Sequence, residues 1–156
     1  MKKYLDDAKE EMKRADHLLY VSLKYTRTVD VIRSTIQRLI LAYDAIINEL
    51  LEFAQKKKKI KIIPTAPTMK ADSLKEAFKE DEIIIENLNF YLLLRKLIKA
   101  KRIDKREEYR RHVTMTVHFT DQDLMEVNMD ILKEYYFKTK EFIDYIEEQI
   151  FKQKVI

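Results

Sequence analysis

The densest chemistry in this 156-residue sequence lies between Arg95 and Arg111, where nine basic residues stand against three acidic ones and His112 follows directly. Clustered lysine and arginine attract phosphate because they displace the counterions condensed on a nucleic-acid backbone. Arg95, Lys99, Arg102, Lys105, Arg110 and Arg111 are the candidate phosphate-binding residues, and Lys57 and Lys58 in the run Lys56 to Lys59 are a candidate extension. Tyr109 inside the cluster offers a stacking surface. His112 lies four residues after Glu108, a spacing that suits a helical ion pair or a carboxylate orienting an imidazole. His17 flanks an apolar stripe and reads as a surface residue. His112, His118, Asp121 and Asp123 could supply a nitrogen and oxygen metal shell, but their spacing follows no familiar metal-binding pattern, and no metal or cofactor is expected.

A bland explanation of the charge stands beside this one. Asp121 to Glu148 holds nine acidic residues against three basic ones, so the two segments could pack side by side and neutralise each other. The net charge of +4 conceals that segregation and is too modest for a protein that coats nucleic acid in bulk.

Other chemistry is excluded by composition. The chain has no glycine, against roughly eleven for average usage, so dinucleotide fingerprints and Walker loops cannot form. Without cysteine there are no disulfides, thiolate zinc sites or cysteine nucleophiles. No apolar run approaches a membrane span, and the charged start MKKYLDDAKEEMKR lacks the apolar core of a secretory signal, which predicts a soluble, cytoplasmic protein. Twenty-two lysines and eighteen isoleucines beside zero cysteine suit a thermophile's usage.

The elements that must position these residues read as helices. Leu5, Ala8, Met12, Ala15, Leu19 and Leu23 form one stripe, and Val29 through Ala54 carry a second, richer one. Thr26 or Thr28 could cap the second helix, while the turn at 24–28 stays open against one continuous helix. Pro64 and Pro67 place a loop at roughly 56–72, and Ser73 with Glu76 has capping-box spacing for a third segment reaching about 101, with a break near Glu80 and Asp81. Asp104 and Glu107 predict a fourth helix from about 105. Residues 112–119 alternate polar and apolar, as a strand would; helix is preferred because only Ile60 to Ile63 offers a partner strand. Thr120 and Asp123 then cap a last helix with Leu124, Val127, Ile131, Tyr135, Phe142, Tyr145 and Ile146 inward. The expected fold is all-α, a single domain over 1–156, built as an up-and-down bundle of four to five helices, with short extended segments near 60–63 and 113–119 as the departure to test.

A helical bundle with Arg106 and His112 enclosing Glu107-Glu108-Tyr109-Arg110-Arg111 resembles the HEPN superfamily, the higher eukaryote and prokaryote nucleotide-binding helical domains. Leu132 to Tyr135 and Lys140 to Tyr145 resemble its closing helix. Glu107 departs from the family's preference for Asn, Asp or His after the arginine. The resemblance implies a homodimer with a metal-independent ribonuclease centre, or a partner of a nucleotidyltransferase. In that reading His112 acts on the ribose 2′-hydroxyl or protonates the leaving oxygen, and Arg106 stabilises the phosphate's transition-state charge. RNA or nucleotide binding is the function expected, and whether the chain is an enzyme stays open. The alternative is a noncatalytic helical module for protein-protein contact or homo-oligomerisation.

Overall fold

The two long apolar stripes become the two longest stretches of helix in the computed structural model, which describes residues 2–151. Helix α1 (Lys2–His17) runs into a π-helical segment (Leu18–Ser22) and a last turn (Leu23–Tyr25). Ala15, Leu19 and Leu23 follow one another in steps of four, which overshoot a 3.6-residue turn, and the wider π turn absorbs the overshoot and keeps all three buried. The chain then turns. Helix α2 (Val29–Lys56) starts at Thr28, whose hydroxyl accepts from the Val31 amide at 3.3 Å. Every apolar residue predicted on its inward face is buried, because α2 packs against all the other helices.

Helix α2 ends without glycine in a cap that ordinarily uses it. The Lys59 amide bonds the Ala54 carbonyl and the Lys58 amide bonds that of Gln55, the paired bonds of a Schellman motif, with Lys58 in the left-handed region at φ 60°. A lysine takes the conformation, at a steric cost that glycine would not carry.

Helix α3 (Pro67–Ala77) begins earlier than predicted, with Pro67 at the first helical position, where a missing amide and a fixed φ are tolerated. Ser73 is therefore inside the helix and caps nothing. The predicted break is present: Asp81 accepts from the Ile83 and Ile84 amides and starts α4 (Glu82–Lys99). Residues 60–63 form no strand.

Beyond α4 the helical expectation fails. Residues 102–128 form a three-stranded antiparallel meander, β1 (Arg102–Arg106), β2 (Thr114–His118) and β3 (Leu124–Asn128), with Arg106 opposite Thr114 and His118 opposite both Arg102 and Leu124. The fourth helix predicted from 105 does not exist, and the alternation at 112–119 marks a real strand whose partners are its own neighbours in sequence. Asp104 faces Thr116 across the ladder instead of capping a helix. Thr120 makes a tight turn, its hydroxyl accepting from the Gln122 and Asp123 amides. Leu124, predicted inward, is 47% exposed. Asn128, not Thr120, caps the last helix, α5 (Met129–Ile146), by accepting from the Ile131 amide at 2.9 Å. The fold is thus mainly α, with five helices longer than ten residues among the described residues and a small sheet at one end.

One sheet face carries Met115, Val117 and Val127, all fully buried, and with Val113 it joins the helical core. The opposite face carries Arg102, Asp104, Arg106, Thr116, His118 and Glu126, as the period of two requires. Deep in the helical layer, Tyr43 lies 5.7 Å from Phe142 and 5.9 Å from Phe90 between ring centroids, and its hydroxyl donates to Asn87 at 2.8 Å. That cluster ties α2, α4 and α5 together.

Candidate phosphate-binding surface

The loop joining β1 to β2 seats the basic residues by docking on the start of α2. Glu108 accepts from the Val29 amide at 2.9 Å, the Tyr109 amide donates to the Arg27 carbonyl at 2.6 Å, and Lys105 reaches Asp30 at 3.3 Å. Glu108 therefore acts as a second cap on α2 rather than as an orienting partner for His112, and its charge suits a helix N-terminus. Glu107 and Tyr109 bracket it in the left-handed region, at φ 51° and 68°. Those two strained positions aim the carboxylate at the helix.

At this end of the sheet a cleft of about 300 Å³ is lined by Arg27, Arg111, His112, Thr114, Asn128, Met129, Asp130 and Lys133. Four of those residues can be cations and one is a carboxylate. The cleft lies at the N-terminus of α5, whose amide dipoles also favour an anion. His112 is exposed, and its carbonyl accepts from the Thr114 hydroxyl at 2.8 Å. The Nε of Arg27 is buried with no hydrogen-bond partner. Leaving a buried charged donor unmatched costs at least about 1–3 kcal/mol.

The predicted cations do not form one surface. Arg111 and His112 line this cleft, whereas Arg106 is not part of its lining and sits exposed opposite Thr114. Arg110 is exposed in the same loop, and so is Tyr109, at 77%. Lys105 is engaged by Asp30. Arg95 turns toward α2, its guanidinium 5.7 Å from the Tyr91 ring. Lys99 and Arg102 line a separate cleft of about 470 Å³ at the other end of the sheet, with His118. Lys57 and Lys58 are at the far end of α2, about 40 Å from Arg27 at 1.5 Å per residue, so they extend nothing here.

Mutual neutralisation of the basic and acidic segments is limited. Among the described residues Arg102–Asp121, at 3.4 Å and exposed, is the one ion pair between them. His112 lies just before β2 and His118 is its last residue, and no group of three or more metal-binding side chains occurs among the described residues. No helix is long and apolar enough to cross a membrane among those residues.

Sequence reasoning missed Arg27 and Lys133. Arg27 lies in a helix junction and Lys133 in an acidic segment, and no local pattern marks either one. No family model, curated protein or solved structure matches the chain.

Proposed function

We propose that this protein binds the phosphates of RNA or a nucleotide in the cleft formed by Arg27, Arg111, His112 and Lys133, the activity that the HEPN resemblance implies. The observation that carries the reading is the buried, unpartnered Nε of Arg27 in a cleft shared with Arg111, Lys133 and His112. Exposed Arg106, Arg110 and Tyr109 extend the surface along which a strand could lie. Fluorescence anisotropy with a single-stranded RNA oligonucleotide tests it. Affinity should fall steeply with salt, and the R27Q/R111Q variant should lower the log–log slope by about two phosphate contacts. A flat salt dependence of the wild type would refute phosphate recognition.

Cleavage is the stronger form of the same proposal. His112 takes the proton of the 2′-hydroxyl, the 2′-oxygen attacks phosphorus, and the P–O5′ bond breaks as the 5′-oxygen takes a proton from water, giving a 2′,3′-cyclic phosphate and a 5′-hydroxyl. Arg106 or Arg111 balances the added negative charge. Labelled RNA in chelator should be cut by the wild type and spared by His112→Ala; equal cutting would assign the activity elsewhere. The homodimer and the nucleotidyltransferase partner belong to this reading, and light scattering on the purified chain tests the first.

The second reading, a noncatalytic interaction or homo-oligomerisation module, has an observation of its own. Tyr20 and Phe137, at 42% and 49% exposure, both contact Tyr136 and leave apolar surface open next to Lys133. A dimer lost on Phe137→Ser, with RNA affinity absent in both proteins, would favour it.

A further inference from the structure

The other end of the sheet holds a second group of cations around an ordered imidazole. Lys96 and Lys99 from the last turn of α4, Lys101 and Arg102 from the entry to β1, and His118, Phe119, Thr120 and Asp121 from the β2 end and its turn enclose the cleft of about 470 Å³. The His118 side chain is only 9% exposed, and its Nε2 donates to Asp104 Oδ2 at 2.7 Å. That bond, with Coulomb attraction from His118, Arg102 and Arg106 behind it, holds the Asp104 carboxyl below the usual carboxylate range. A carboxylate can only accept, so Nε2 carries a proton; Nδ1 is the other ring nitrogen, and it donates to a phosphate oxygen when the ring is doubly protonated.

The charge around this cleft exceeds what the fold needs. A helix C-terminus presents about half a negative charge, and Asp121, 98% exposed, supplies one more. Four lysine and arginine cations face those two and the Asp104 carboxylate beside His118 and Arg102, so positive charge is still in excess. The four are themselves exposed, so holding them together serves no packing purpose. The lining also contains one aromatic ring, Phe119, with the Lys96 ammonium 4.1 Å from its centroid.

We propose that this cleft is a binding site for a small phosphate monoester, with Lys99, Lys101, Arg102 and His118 meeting the phosphate and Phe119 meeting the esterified group. A monoester dianion matches the surplus of positive charge, and the cleft is roomy enough for more than the phosphate. The site is separate from the His112 cleft, on the far side of a five-residue strand that spans about 13 Å.

NMR titration of the full chain with inorganic phosphate and, in parallel, phenyl phosphate tests the assignment. Saturable shifts are expected at the His118 ring and at the amides of residues 118–121, with phenyl phosphate binding at least threefold more tightly. The K99Q/R102Q variant, which changes only exposed side chains, should weaken both probes at least tenfold; His118→Gln should weaken them with its melting temperature recorded alongside. Equal affinity for the two probes overturns the monoester assignment. Undiminished affinity in K99Q/R102Q, or shifts confined to residues 111–114, overturns the site itself and leaves the His112 cleft standing.

Discussion

The helical layer and the sheet are held by different forces. In the helices, long apolar faces converge on a center where Tyr43, Phe90, Tyr91 and Phe142 meet, and the polar groups within it are matched, Tyr43 with Asn87 and Tyr91 with Asp44. The sheet contributes Met115, Val117 and Val127 to the core, with Val113 just before β2, and is also tied down by polar links from its first loop to the start of α2. The other face of the sheet carries Arg102, Arg106 and Glu126, all exposed, around the buried Thr116. Both cationic clefts are at the ends of the sheet.

The sharpest way to break the comparison is to remove a ring from the helical center. Phe142→Ala should cost about 3–5 kcal/mol in chemical denaturation, because a buried aromatic leaves both lost transfer energy and a cavity. A loss below about 1 kcal/mol would mean the center is not where stability resides. Glu108→Ala removes a polar link instead and should cost about 0.5–2 kcal/mol, the range of a lost helix cap. Hydrogen exchange should then quicken at residues 27–31 and 107–114 while the distal half of α2 keeps its protection. Uniform acceleration would show that the sheet is not anchored separately.

Lys58→Gly probes the opposite end of α2 and should stabilise by up to about 1 kcal/mol, since glycine relieves the left-handed strain while the Schellman bonds persist. Thermal unfolding reads it directly, and a destabilised variant would mean the side chain of Lys58 matters more than its backbone. The smallest effect is at alkaline pH. Burial, then the hydrogen bond to Asp81, pushes the Tyr145 hydroxyl up to about 12 from its ordinary value near 10. A raised folded value favours the protonated form, so this contribution is whole below pH 10 and fades as pH rises toward 12. Tyr145→Phe should shrink the stability lost across that window; an unchanged alkaline slope would show that the Asp81 bond is not titrating.

Legibility followed the range of the forces. Stripes such as Leu5 to Leu23 or Val29 to Ala54 repeat over many turns, so the helices could be read from local pattern, and so could the cap at Thr28 and the break at Asp81. Asp104 with Glu107, and Thr120 with Asp123, carry the same capping signatures, yet one pair is in a strand and its loop and the other in a turn. Two residues of the right type three apart are too little information to specify a helix. Arg111 and His112 were legible as chemistry, but their companions Arg27 and Lys133 were not, because nothing in a junction or an acidic helix announces a cation that will face a loop many residues away.

By itself the sequence determined what each segment could do locally: where periodicity supports helix, which phosphate-binding modes are impossible without glycine, and where cations are dense. Tertiary structure alone decided the rest. It made residues 102–128 a sheet, because strands gain their hydrogen bonds and burial only from partners, and it divided one basic stretch into two clefts, because alternate residues of a strand face opposite ways and its two ends are far apart.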